Sequence, residues 1–381
     1  MFPIHIQGTK KLLDYLKIKP VSHQEENSLY AWHANLITIN RKKAIVLVND
    51  KNRYVIVLYG IVAKHLKKLD ELIIESIRKT FLEEGIKEEI VEQYIRLAPD
   101  FIFSKTKDKT SVARMNKSCE TIYVFDDLLD MENVVQTTFN KSASRYLITN
   151  GKNNYIYPNQ ELYGSLEDFL EQPVIQTDAV KLNVKLHLES SHVLRKLVVP
   201  LNFTFYQLHK TLQIAFDWED YHLHEFYIYD EDAEDKGRSL NYPSFNLKGK
   251  KLILNIVGDA ETLNYKDDIP VEVEAGIKLS DYLTVYKHMD YVYDFGDDWI
   301  HRIEVEAIIH DYDKNYPVCI EGEGNTPPED VGGAHGYEMY LNILKDQAHP
   351  DHQHMLEWSN GQSKRAFNLE KVNRFLKGEF Y

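Results

Sequence analysis

The chain has 381 residues, 43% hydrophobic, 12% aromatic and 27% charged, too long for one ordinary core, so two domains are expected. Its net charge of −14 is confined to one half: residues 1–178 carry 24 Lys and Arg against 24 Asp and Glu, residues 179–381 carry 21 against 35, which argues against nucleic-acid binding by the second half. No apolar run approaches the ~20 residues that span a bilayer, no secretory leader opens the sequence, and two cysteines, Cys119 and Cys319, are too few for a disulfide framework, so a cytoplasmic protein with no membrane partner is the expectation.

In chain order, "TKKLLDYL" (9–16) predicts a short helix. Three runs rich in β-branched and aromatic residues follow, at 29–40, 43–49 and 53–59. Their breaks are short and polar, so they read as an antiparallel meander. Leu66, Leu69, Ile73, Ile77 and Phe81 recur at helical steps before Gly85, predicting a helix over 61–84 with glycine just past its end. A second helix is expected at 87–97, ahead of Pro99. The basic cluster "KHLKKLD" (64–70) reads as a solvated helix face. The polar stretch "SKTKDKTSVARMNKS" (104–118) reads as a loop or edge segment, and "SLEDFLEQ" (165–172) closes the half as a helix.

The charge balance changes near Pro173, so the expected division is a domain at 1–172, a linker at 173–180 and a second domain at 181–381. "KLNVKLHLES" and "HVLRKLVVP" alternate as hairpin strands. Residues 202–218 show helical spacing with Asn202 or Thr204 as cap. "HLHEFYIYD" (222–230) and "KKLILNIVG" (250–258) return as strands around an acidic surface loop at 230–239. One helical turn is expected at 279–283, a hairpin at 291–309, and short helices at 336–346, 353–358 and 368–377. Strand, strand, helix, strand is an α+β order. The second half is expected to be a β-grasp-like mixed sheet with one packed helix, the first a meander with helices.

Four stretches of this half, "TFYQLHKTLQIAFDWEDYHLHEFYI", "YVYDFGDDWIHRIEVE", "YPVCIEGEGNTPPEDVGGAHGY" and "HPDHQHMLEWSNG", in this order and spacing, resemble the plasmid pRiA4b ORF-3-like family. The resemblance covers nearly all of 180–376. It implies a domain found on plasmids, insertion elements and bacterial chromosomes, with characteristic positions that include Trp218, His222, His224, Asp294, Gly296, Trp299, His301 and Pro327 to Asp330. It implies no activity. The first half, on "LYAWHANLITINRKKAIVLVND", resembles a separate bacterial domain of unknown function.

The turn in "YDFGDDWIHRIEVE" (293–306) carries the question of chemistry. Strand parity places His301 with Ile303 and Val305, facing the core, and groups His222 with His224 and Phe226. One reading is architectural: Gly296 supplies a positive φ, Asp297 or Asp298 caps the turn, Trp299 fills the core and each histidine bonds a carboxylate or carbonyl. The other gathers His222, His224 and His301 with Asp294 or Asp297 into a nitrogen and oxygen ligand set suited to Zn²⁺, Mn²⁺ or Fe²⁺. "TPPEDVGG" (326–333) is a stiff loop that could offer Glu329 as general base and Asp330 as ligand, or wall the fold. "HPDHQH" (349–354) reads as capping or surface contact, and Cys319 as a buried inert thiol.

Two functional classes follow. The first is a binding or regulatory module that takes a protein or small-molecule partner in a pocket lined by Trp218, Tyr293, Trp299, Glu329 and Asp330. The second is a divalent-metal-dependent hydrolase, conceivably a nuclease, using the histidine and aspartate set with Glu329 as base.

Overall fold

The computed structural model describes residues 1–22, 27–150, 154–189, 191–230, 250–259, 269–361 and 366–381. The chain divides into two compact units, one of residues 1–176 with Tyr381 and one of residues 177–380. Both are α+β.

The N-terminal unit runs β1 (Ile4–Gly8), α1 (Lys10–Leu16), β2 (Ala31–Ile39), β3 (Lys42–Asn49), β4 (Val55–Tyr59), α2 (Ala63–Leu66), α3 (Leu69–Glu83), α4 (Glu88–Arg96), β5 (Phe101–Lys105), α5 (Lys109–Ile122), α6 (Thr137–Ser144), β6 (Ile148–Thr149), β7 (Tyr155–Ile156) and α7 (Pro158–Leu170). The expected meander is β2–β3–β4, and β1 and β5 extend it in parallel to give the order β4-β3-β2-β1-β5. Its strands are apolar on both faces because both are covered. Ile45, Leu47, Ile56 and Leu58 pack with Ile73, Ile77, Phe81 and Leu162. The alternate residues Val46, Val48, Val55 and Val57 pack with Met115, Cys119, Ile122 and Phe139.

That second layer corrects one expectation. The stretch 104–118 is mostly the helix α5, capped by Asp108, whose side chain accepts from the Ser111 amide. Its buried Met115, Cys119 and Ile122 sit at helical spacing, but eight charged or hydroxyl residues around them dilute the pattern. The long helix expected over 61–84 is broken between α2 and α3.

The C-terminal unit runs β8 (Thr177–Leu186), β9 (Val193–Pro200), α8 (Phe205–Phe216), β10 (His224–Asp230), β11 (Lys251–Val257), β12 (Val271–Val273), β13 (His288–Tyr293), β14 (Trp299–Tyr312), β15 (Val318–Glu323), α9 (Gly333–Lys345), α10 (His352–Gly361) and α11 (Leu369–Phe380). Eight strands form one mixed sheet, ordered β12-β11-β10-β13-β14-β8-β9-β15, in which only β11 and β12 pair in parallel. Thr204 caps α8, with Gln207 reaching back to complete a capping box. Leu208, Leu212 and Phe216 of α8 pack against Val184, Leu197, Phe226, Tyr291 and Ile303, and Val372, Leu376 and Phe380 of α11 join the same core, so two helices, not the one expected, pack on this face. Most of the acidic excursion expected at 230–239 lies outside the described residues.

Candidate functional site at the end of the central strands

In the antiparallel pair of β10 and β13, His224 lies opposite Tyr293. The segment entering β10 and the turn leaving β13 therefore meet at the same end of the sheet. The Asp294 amide donates to the Leu223 carbonyl at 2.9 Å, and the Asp298 amide to the Asp294 carbonyl at 2.7 Å.

The turn is built differently from the expectation. Its positive φ angles fall at Asp294 (61°) and Asp298 (52°), whereas Gly296 lies outside the left-handed region. A side chain at Gly296 would crowd the Asp294 carboxylate, whose Oδ1 is 3.2 Å from a Cβ built there. The cap is likewise Asp294: its Oδ1 accepts from the amides of Gly296 at 2.9 Å and Asp297 at 3.4 Å. Asp297 reaches outward, and its Oδ2 accepts from the Gly332 amide at 3.1 Å. This bond ties the turn to the "TPPEDVGG" loop.

The tie brings three side chains from three segments together. His222 Nε2 lies 3.1 Å from Asp330 Oδ1 and 3.5 Å from Asp294 Oδ2. One donor atom from each residue lies within 4.8 Å of the others, a spacing that could hold a metal ion. Asp294 is buried, His222 half-buried, and the Asp330 side chain is 69% exposed, so the cluster opens to solvent on the loop side.

The other members of the expected ligand set lie elsewhere. His301 is fully buried; its Nε2 is 3.2 Å from Trp218 Nε1 and its Nδ1 is 3.0 Å from the Trp299 carbonyl. An indole N–H only donates, so Nε2 accepts and Nδ1 carries the proton. Both nitrogens are thus committed inside the core, and burial drops the ring's pKa to about 3. His224 turns to Glu274, at 3.0 Å, and stacks face to face on His209, with centroids 3.5 Å apart and an interplanar angle of 4°. Strand parity grouped His224 with His222, but β10 begins at His224, and His222 precedes the regular alternation.

The expected aromatic pocket is packed shut. Trp218, Tyr293 and Trp299 are all buried; the Trp218 ring centroid is 5.5 Å from that of Tyr293 and 5.4 Å from that of Trp299. They form a wall beneath the cluster. Glu329 is buried too, and its Oε1 accepts from the Glu219 amide at 2.8 Å and from the Tyr293 hydroxyl at 3.4 Å. Of the five expected pocket residues, only Asp330 reaches the surface.

These positions lie within the span matched by a known family. The sequence model described as plasmid pRiA4b ORF-3-like protein matches residues 178–375, more than half of the chain. The chain belongs to the plasmid pRiA4b ORF-3-like family. The uncharacterized protein y4hQ of Sinorhizobium fredii is 32% identical over 198 residues, 51% of this chain and 89% of that relative. A crystal structure of a protein of unknown function, MM3350 from Methanosarcina mazei Go1, shares 30% identity over 51% of this chain and 97% of its own, with a TM-score of 0.41. A domain of unknown function, DUF6933, matches residues 5–161.

Two residues of the pRiA4b ORF-3-like unit escaped the sequence patterns. His209, on the buried face of α8, places Nδ1 2.8 Å from the Tyr291 hydroxyl and Nε2 2.7 Å from Asp220 Oδ1. Burial, with the neighbouring His224, pulls its pKa to about 3. Arg195, 1% exposed, donates to the carbonyls of Ala215, Leu194, Glu323 and Gly324 and stacks on Phe367. It fixes the chain just before "TPPEDVGG". Neither is marked by spacing, since a polar residue on a helix or strand carries no sign of what it meets across the fold. In "HPDHQH", His349 Nδ1 accepts from the Asp351 amide and His352 bonds the Ile343 carbonyl at 2.9 Å. Cys319 is buried, which pushes its thiol up to about 11 and leaves it a poor nucleophile. Among the described residues, no helix is long and apolar enough to cross a membrane.

Proposed function

We propose that the pRiA4b ORF-3-like unit is a binding module organised by one divalent ion, with His222 Nε2, Asp294 and Asp330 as its protein ligands. The observation that carries this reading is the convergence of these three groups from the β10 approach, the β13–β14 turn and the "TPPEDVGG" loop. Neighbouring donors on a Zn²⁺, Mn²⁺ or Fe²⁺ ion at bond lengths near 2.1 Å sit ~3.0–3.4 Å apart, close to the 3.1 and 3.5 Å measured from His222. One nitrogen and two carboxylates suit those ions. Three protein ligands leave open positions, which a carboxylate or carbonyl from a small molecule or a partner's side chain would complete. The surplus of acid in residues 179–381 favours cations near the surface and suits a basic protein partner.

The open coordination also fits a second reading, a metal-dependent hydrolase that works through ion-bound water. The commitments of Glu329 Oε1 to the Glu219 amide and the Tyr293 hydroxyl argue against it as the base and favour binding over turnover.

Calorimetric titration of the metal-free chain with Zn²⁺ and Mn²⁺ tests the site. One ion per chain is expected, bound at least tenfold more weakly by His222→Ala and by Asp330→Asn, each still folded. If no ion binds, or both variants bind as tightly as the parent, His222 is an ion-pair clasp between two carboxylates and the proposal fails. Hydrolysis of a phosphodiester by the loaded protein, lost in both variants, would select the second reading.

A further inference from the structure

The N-terminal unit holds a second constellation, remote in sequence from the first. The connection from β3 to β4 is a tight loop in which the Asn49 side chain accepts from the amides of Lys51 and Asn52. The loop ends at Arg53, held at φ +67° with its amide donating to the Asn49 carbonyl at 3.0 Å. A left-handed arginine is uncommon and carries strain. Here it turns a guanidinium inward: Arg53 is 5% exposed. Its Nη2 reaches the Arg114 carbonyl at 3.4 Å, whereas Nε and Nη1 are buried without a hydrogen-bond partner.

Arg53 lines a cleft of about 210 Å³ of empty space, shared with His33, Asp50, Ser111 and Arg114. His33 also lines the cleft; its Nε2 is buried without a partner, while Nδ1 donates to Asp50 Oδ1 at 2.6 Å. The acids nearby are turned to other donors. Asp50 bonds His33 and, through Oδ2, the Gln7 amide nitrogen at 2.9 Å. Asp108 accepts from the amide and hydroxyl of Ser111, both at 2.9 Å. The first turn of α5, capped by Asp108, supplies Ser111, and its second turn supplies Arg114.

A buried cation with unused donors is expensive unless an anion meets it. We infer that this cleft binds a small tetrahedral oxyanion, a phosphate group, between Arg53 and Arg114, with one oxygen accepting from the unused N–H groups of Arg53. Guanidinium groups match the geometry and charge of phosphate. Burial and the neighbouring Arg114 draw the Arg53 guanidinium down to about 10, with Asp50 offsetting them only in part. The site is independent of the ion proposed for the other unit.

The test uses the full chain, metal-free and carrying His222→Ala, so that an ion in the other unit cannot recruit phosphate. Sodium phosphate, sulfate and acetate are titrated calorimetrically at constant ionic strength. Phosphate and sulfate are expected to bind at one site per chain and acetate much more weakly. Arg114→Ala, at a half-exposed position, and Arg53→Gly, which suits the left-handed backbone, should each weaken phosphate at least tenfold while the protein stays folded. Failure of the parent to bind at millimolar phosphate overturns the inference, as does binding that survives both substitutions. A preference for acetate would also overturn it, showing a carboxylate site instead.

Discussion

His301 donates from Nδ1 to one carbonyl and accepts at Nε2 from one indole, and neither bond leaves room for a second proton. Its pKa of about 3 therefore ties stability to pH. The unfolded ring takes up a proton below about 6.5, and the folded ring refuses it until near 3. Stability is complete above 6.5 and declines as the pH falls. Between pH 7 and 5 the loss is about 2 kcal/mol for this residue. His301→Phe removes both bonds and strands a buried N–H and a buried carbonyl, which costs about 2–4 kcal/mol at pH 7. The same variant should lose correspondingly less between pH 7 and 5. Urea unfolding at the two pH values checks both signs; a variant as acid-sensitive as the parent would place the titration elsewhere.

The "TPPEDVGG" loop and the β13–β14 turn behave as one piece because they touch through backbone. Gly333 has φ +68°, and a Cβ there would lie 2.5 Å from the Asp297 carbonyl oxygen. Gly333→Ala should destabilise the C-terminal unit by about 2 kcal/mol or more, combining left-handed strain with the clash. It should also weaken ion binding by shifting Asp330 away from His222. Gly378→Ala, within α11 and with nothing inside 4 Å of the new Cβ, should instead stabilise by about 0.5–1 kcal/mol. Thermal denaturation of the pair separates the contact from a general intolerance of alanine. Local chemistry made much of this legible in advance. Alternation marked the hairpin strands, Asn202 and Thr204 bracketed the start of α8, where Thr204 is the cap, and the doubled prolines and glycines marked a stiff loop. What spacing could not supply was partnership across the fold. Asp330 meets His222 and Asp294 only because Asp297 holds the Gly332 amide, and α5 becomes a helix because a sheet face waits for its Met115, Cys119 and Ile122. The parallel pairing of β1 with β2 and β5 was hidden for the same reason: those contacts close over long loops, outside any local pattern.

Each unit has a core of its own, around α8 in the C-terminal unit and on the two faces of the sheet in the N-terminal unit. Both units bury several titratable groups, among them His5 and His33 in the N-terminal unit and Asp290 in the C-terminal unit. The C-terminal unit buries His209 and His301, both held neutral and both near 3. The N-terminal unit buries an ion pair, Glu84 with Arg145 at 2.5 Å, joined by the hydroxyls of Tyr54 and Tyr163. Burial alone would raise the Glu84 carboxyl, but Arg145 and Lys141 outweigh it and hold the group below its ordinary 4.5. That contribution is present above 4.5 and is lost only as the pH falls below it. Asp220 is also depressed, from 3.8, so it too is silent between pH 7 and 5. The two histidines together take at most about 4 kcal/mol from the C-terminal unit over that interval, opposed in part by Asp290 and Asp298, whose carboxyls burial raises. At 2–4 °C per kcal/mol for a domain of this size, its midpoint should fall by up to about 10 °C. Scanning calorimetry at pH 7 and 5 measures this, with hydrogen exchange assigning each transition. A common shift of both transitions would mean that the units unfold as one cooperative body; a fall confined to the N-terminal unit would mean that its ion pair, not the histidine pair, is the acid-labile element.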